Sequence, residues 1–321
     1  MRRIASIVVS EIKSVFNATL VIVRYFILYI LISMIIDPST EHNYRSKTID
    51  CTPGSLASLS EGHLKTITNL TIMGTIDARD FKTMRYKMPN LMTIDLTFAT
   101  IAAYTGSEGV KSYALINYAP DDSVVISYPA NGVPNYAFED MGKLESFNFP
   151  LSTTTIGNCA FYNCSNLTGN LSMPALVNEI GEMAFFNCKG LYGKLTVPPL
   201  VTTINNMAFF GCSNLTGSLT LPARVKKIGS YSFGNCSNFS DTLTIPEFVE
   251  QIDFKAFNYC NGFSTINTLA TKPLYLNTFD SVFAQIDKRK SVLHVPIGCK
   301  ALYAAANGWK EFGTILDDLS Q

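Results

Sequence analysis

Eight cysteines and three histidines are the side chains with the most reactive potential in this chain of 321 residues. Five cysteines, Cys164, Cys188, Cys212, Cys236 and Cys260, stand 24 residues apart. Thiols in such a series could pair as disulfides, ligate a metal or act as nucleophiles. If the spacing reflects stacked coils, neighbouring cysteines lie about 5 Å apart, inside the Cα window of a disulfide. Parallel Cβ directions and an odd number argue against pairing. A column along an axis also fails to converge on a tetrahedral metal site. The remaining reading is buried free thiols acting as small apolar side chains. Met141 stands in the same column one block earlier. Cys159 falls in a variable column shared with Met183, Met207, Tyr231 and Lys255, and is a candidate for a lone reactive thiol. Cys51 is too far from the N-terminal hydrophobic stretch to read as a lipid-attachment cysteine, and Cys299 is expected to pack near the C-terminus.

His42, His63 and His294 are scattered, with no repeat-related serine or cysteine beside them. The chain has no Gly-x-Ser-x-Gly elbow, phosphate-binding glycine loop, His-Glu-x-x-His or Cys-x-x-Cys. Glu182, Asp253 and Glu311 have no carboxylate partner at an equivalent position, which leaves a glycosidase or other hydrolase reading thin. No catalytic, cofactor-binding or metal residue is assigned. Lys plus Arg equals Asp plus Glu at 25 each, so the basic surface of a nucleic-acid binder is not expected. Sequons such as Asn163-Cys-Ser and Asn214-Leu-Thr recur because a longer unit recurs. Their asparagines suit turn backbone groups better than glycosylation.

That unit is the organising element. Five blocks align without gaps: IGNCAFYNCSNLTGNLSMP from Ile156, IGEMAFFNCKGLYGKLTVP from Ile180, INNMAFFGCSNLTGSLTLP from Ile204, IGSYSFGNCSNFSDTLTIP from Ile228 and IDFKAFNYCNGFSTINTLA from Ile252. A degenerate sixth, VPNYAFEDMGKLESFNFP from Val133, is one residue shorter before its proline. The TGN, YGK and TGS triplets carry the extra residue, predicted to widen the turn into the strand, since glycine tolerates positive φ. A 24-residue unit cannot bury its own core, so copies must stack and share one. Each block then supplies an alternating strand ended by proline and a tight or single helical Ala-Phe turn. Phe161, Phe185, Phe209, Phe233 and Phe257 become an interior ladder, with the five cysteines behind them. The expected fold is an α/β solenoid of short parallel strands: about six coils of 23–24 residues, plus N- and C-terminal capping units.

The columns Ile-Gly-x-x-Ala-Phe-x-x-Cys-x-x-Leu, strand and proline resemble the treponemal-type leucine-rich repeats of BspA-like bacterial surface proteins, as found in Bacteroidales. The resemblance implies an exported or surface-held solenoid linked to adhesion or host-protein binding. VLHVPIGCKALYAAANGWKEFGTI, from Val292, resembles the closing unit of such proteins, with Tyr303 and Trp309 to Phe312 in the cap. The stretch from Thr52 resembles their opening region, with strands at Leu70–Ile72 and Leu91–Leu96 and a helix-like DFKTMRYKM from Asp80. The chain therefore divides into a hydrophobic segment and linker at 1–45, an opening cap with an irregular insertion at 46–132, the repeat array at 133–270 and the closing cap at 271–321.

Any activity is expected in the face that the copies build together. Outward strand residues Ser172, Thr196, Thr220 and Thr244 are candidates, with Tyr192 near the strand entrance. Tyr162, Phe186 and Phe210, each following the Ala-Phe pair, are candidate anchors if exposed. The competing readings are a hydrated sheet and lateral packing between coils. Expected partners are extracellular proteins or glycans, bound by a monomer without a cofactor. The alternative is a surface spacer or coat. Residues 17–36 are nearly all apolar and follow Arg2, Arg3 and Lys13. They are expected to anchor the chain in a membrane or to act as an export signal.

Overall fold

The computed structural model describes residues 45–60, 62–111, 124–276 and 282–320. The apolar stretch 17–36 lies outside the described residues, as do residues 112–123 of the irregular insertion. No helix among the described residues is long and apolar enough to cross a membrane.

Each coil has three sides, set by its repeat columns. On the strand side, β1 (Ser46–Cys51), β2 (Asn69–Ile76), β3 (Thr93–Asp95) and β8 (Ser146–Asn148) pair in that order, all parallel. Further along, β12 (Gly217–Thr220), β14 (Phe239–Ile245), β16 (Phe263–Thr268), β17 (Val292–Pro296) and β18 (Thr314–Leu319) form a second parallel sheet. Alternation sends Leu219, Leu243, Ile266, Leu293 and Ile315 inward as one buried row. β4 (Ala99–Ile101) also pairs with β2, and β5 (Tyr104–Gly106) with β6 (Ile126–Tyr128) forms a small antiparallel pair in the insertion.

The short-strand side is made of two-residue strands ending in the isoleucine or valine that opens each block. β7 (Gly132–Val133), β9 (Thr155–Ile156) and β10 (Glu179–Ile180) form one group. β11 (Thr203–Ile204), β13 (Lys227–Ile228) and β15 (Gln251–Ile252) form another. Between the groups, Asn205 Nδ2 donates to the Ile180 carbonyl at 2.7 Å.

The turn side corrects the α/β expectation. The Ala-Phe segment makes successive three-residue turns rather than a helix: Ala208 N–H donates to Asn205, Phe210 to Met207 and Cys212 to Phe209. Left-handed residues interrupt every coil, Met207 at φ 53° and Gly211 at φ 74° in this one. A right-handed helix cannot propagate through them. Their N–H groups turn sideways instead. Met207, Phe209 and Gly211 donate to Ser230, Ser232 and Gly234 of the next coil at 2.9, 2.8 and 2.8 Å. The solenoid is therefore mostly β. Helices among the described residues are Leu56–Leu59, Ala78–Lys87 and Lys300–Ala305, in the caps and not in the repeats.

One strand expectation also changes. Leu171–Pro174 and Leu195–Pro198 carry no strand; only isolated bridges, Gly169 with Leu191 and Gly193 with Leu215, join these coils on that side. The glycine triplets do take the positive φ expected of them. Gly169, Gly193 and Gly217 have φ of 88°, 79° and 74°, and Gly217 opens β12 with a register shift against β14. The shift at Gly217 locally disrupts the pairing of β12 with β14.

The Phe ladder fills the interior. Phe161, Phe185, Phe209, Phe233 and Phe257 are fully buried, with ring centroids 5.2–5.5 Å apart and interplanar angles of 2–6°. The ladder runs one rung further each way, to Phe138 and Phe283. Trp309 and Phe312 then close it edge-on against Phe283, at 5.6 and 5.8 Å. Polar atoms of this cap are satisfied, with Trp309 Nε1 donating to Leu274 and Tyr303 Oη to Ala270. At the other end, Asp77 and Asp80 form a capping box on the helix Ala78–Lys87. The Asp80 carboxylate also accepts from Gly54 and Leu56, tying the first coil to this helix.

Candidate binding face

The cysteine column has a structural task. All five thiols are free and fully buried. Each Sγ donates to the phenylalanine carbonyl of the preceding coil: Cys164 to Phe138, Cys188 to Phe161, Cys212 to Phe185, Cys236 to Phe209 and Cys260 to Phe233, at 3.0–3.1 Å. Those carbonyls already accept the N–H three residues on, as Phe185 does from Cys188. The thiol thus supplies a second donor to a buried oxygen. Burial pushes the Cys212 thiol up to about 12, and raises the other four as well. Cys159 is half-buried, and burial followed by the Glu139 and Glu182 charges raises it to about 11. This environment opposes the thiolate that a reactive cysteine needs.

A pH dependence follows. The folded state holds these protons more tightly than the unfolded chain, whose thiols titrate near 9.0. The stabilising contribution is therefore full below pH 9 and is lost as pH rises through about 12. Urea midpoints are expected to fall steadily above pH 9, and iodoacetamide labelling of the five column thiols at pH 8 should track unfolding. Rapid labelling of the native protein at Cys212 would contradict this.

The strand side presents two outward rows. One pairs Thr220, Thr244, Asn267, His294 and Leu316 across β12, β14, β16, β17 and β18. The other pairs Thr242, Thr265, Val292 and Thr314. Asn267, His294 and Leu316 were not signalled by the repeat, because the fifth block loses its proline and the closing unit departs from the period. His294 Nδ1 lies 2.7 Å from Asp318 Oδ1 at the far edge. Ser172 and Thr196 are exposed in the same column, but in segments without strand pairing. Tyr192 is 56% exposed beside them.

Tyr162, Phe186 and Phe210 sit elsewhere. They are half-buried on the turn side and stack ring on ring, at 4.7 Å and 9° then 5.0 Å and 11°. Gly234 ends the stack, because a Cβ there would meet Phe210 Cδ2 at 2.8 Å. Tyr231 and Phe254 continue it edge-on, with Lys255 Nζ 4.8 Å from the Phe254 ring centre. These rings pack coil on coil and do not share a face with the threonines.

Between the two sheets lies a cavity of about 200 Å³. It opens beside β8, where Phe147 and Phe149 occupy the inward positions that later coils fill with Leu219 and Leu221. The larger rings cluster with Phe138 and Phe161; Phe147 stands 4.9 Å from each. Leu171 of the next coil lines the cavity with them, and Phe147 is left half-buried.

Parallel strand rows, coil-to-coil turn bonding and a shared Phe ladder define a leucine-rich-repeat solenoid. Residues 131–264 and 193–290 match the family model of the BspA type leucine rich repeat region, in six copies. The chain is a leucine-rich-repeat solenoid protein of the BspA type. Among the described residues, no group of three or more His, Cys, Asp or Glu side chains is placed to hold a metal ion.

Among solved structures, a leucine-rich repeat protein from Bacteroides ovatus ATCC 8483 is similar at 19% identity, over 54% of this chain and 57% of that one, with a TM-score of 0.34. The pneumococcal vaccine antigen PcpA is similar at 14% identity, over 85% and 68%, with a TM-score of 0.35. A leucine rich cell surface protein from Faecalibacterium prausnitzii A2-165 is similar at 17% identity, over 86% and 80%, with a TM-score of 0.28. The chain thus spans just over half of the Bacteroides ovatus protein. No curated protein matches it.

Proposed function

We propose that this is a cell-surface or secreted bacterial repeat protein that binds an extracellular protein or glycan through its strand side. The observation that carries the reading is the pair of outward rows over β12 to β18, five threonines and one asparagine among nine positions, with His294 facing Asp318 at the far edge. Such a surface offers hydrogen bonds to peptide or sugar along one continuous sheet. The later coils of a main array of about six 23–24-residue coils of the Bacteroidales type supply the surface together with the closing unit, and Tyr192 is an aromatic anchor at its border. The apolar stretch 17–36 directs export or holds the chain at the membrane.

The test is binding of the full chain to an array of purified matrix proteins and glycans. The double variant Thr220→Arg, Thr244→Arg is expected to lose at least about tenfold in affinity while keeping its thermal midpoint. A ligand bound equally well by both proteins, or no ligand on the array, would count against the reading.

A further inference from the structure

We infer that the cleft between β8 and residues 168–173 captures an extended peptide segment, taking one of its apolar side chains into the cavity. The inference rests on the strand-side binding reading and gives it a location and a partner chemistry. Three observations carry it.

First, β8 is paired on one edge only. β3 covers one side, and no strand among the described residues covers the other. Thr168 closes one end of the cleft, its N–H and Oγ1 both donating to the Glu145 carbonyl at 2.9 and 3.0 Å. Beyond that point residues 170–174 carry no strand. An open parallel edge recognises the backbone of an added strand whatever its sequence.

Second, the floor is apolar and aromatic. Phe147, Phe149, Phe161, Leu171 and Leu191 line a space of about 200 Å³, room for a single side chain and not for a cofactor. Such an enclosed pocket beside an open edge is the arrangement in which main-chain bonds give affinity and one side chain gives selectivity.

Third, the rim is polar and uncharged. Ser146, Asn148, Asn170 and Ser172 surround the mouth. Asn148, Asn170 and Ser172 are exposed and in reach of a segment lying across it. The rim lacks the charges that would select an ionic head group, so a neutral extended polypeptide fits better than an anionic ligand.

The experiment pans the full chain against phage-displayed random linear nonapeptides and remakes the selected sequences as synthetic peptides. They are expected to share one apolar residue in a proline-poor context, and replacing it with serine should weaken binding about tenfold. Ser172→Arg blocks the mouth without entering the core and should weaken binding about tenfold. Leu171→Trp fills the cavity and should do the same, with its fold checked by thermal unfolding. Hydrogen exchange at the Phe147 amide should slow in the complex, because Ser146 and Asn148 turn their backbone groups to β3 and Phe147 turns its own to the open edge.

The inference is overturned if no selected peptide depends on Ser172 and Leu171, or if protection appears on other strands. A matrix ligand that survives Ser172→Arg but is lost in the Thr220, Thr244 double variant keeps the strand-side reading and removes the cleft.

Discussion

Phe209→Ala is expected to lower the unfolding free energy by about 3–5 kcal/mol, the range for truncating a buried large aromatic. Phe209 is fully buried, and its ring lies 5.5 Å from both Phe185 and Phe233. The deletion therefore empties the centre of two coil-to-coil interfaces at once. In a solenoid those nearest-neighbour interfaces supply most of the stability, because a single coil has no core of its own. The backbone on the turn side is held by bonds from Met207, Phe209 and Gly211 to the next coil, so it cannot collapse into the void. Incomplete relaxation places the cost toward the upper end. Cys212→Ala, one position behind the ladder, removes a sulfur and the bond to Phe185, and is expected to cost about 1–2 kcal/mol. Urea titration followed by circular dichroism separates the two. Equal losses would mean that the thiol bond, and not ring volume, dominates the interior.

The same column shows how far the sequence could be read. Stacking, the Phe ladder and buried thiols all follow from the 24-residue period, because a repeated residue type at a repeated position has one environment. The partner of the thiol does not follow from it. Nothing in the spacing says that Cys212 reaches back to Phe185, a link set by the left-handed residues that tilt the turn. The same residues explain why a turn was legible but its non-helical character was not. Met207, Tyr231 and Lys255 are side chains with no preference for positive φ, and only the coil-to-coil bonding holds them there.

The candidate face divides along similar lines. Thr220 and Thr244 are directly paired, as their equal positions in two blocks required. Asn267 and His294 extend the row through coils whose length differs from the period. Tyr162, Phe186 and Phe210 share one column, and a column of flat rings can present to solvent or stack. The choice depends on coil separation, which composition does not encode. The cleft beside β8 arises where two irregularities meet, the shorter block from Val133 and the bulky Phe147 and Phe149. Each was visible in the sequence, but their joint effect on sheet pairing needed coordinates.

Arg85→Ala is the second large effect, and it acts through an ion pair rather than through volume. Arg85 lies on the helix Ala78–Lys87, and its side chain is 1% exposed. One Nη donates to the Tyr136 carbonyl at 2.6 Å and to the Lys111 carbonyl at 3.2 Å, and the other pairs with Glu139. Tyr136 and Glu139 belong to the degenerate first block, so this single guanidinium fastens the opening cap to the repeat array. Removing it leaves the Glu139 carboxylate, itself only 12% exposed, without its countercharge. Breaking one side of such a pair typically costs about 3–5 kcal/mol, more than the net worth of the intact pair. The asymmetry gives the test its control. Arg85→Met with Glu139→Gln removes both charges and keeps apolar volume, and is expected to recover part of the loss. A double-mutant cycle read by urea denaturation should therefore show strong coupling between residues 54 positions apart. Additive losses would mean that the carbonyl bonds to Tyr136 and Lys111, and not the carboxylate, hold the cap in place.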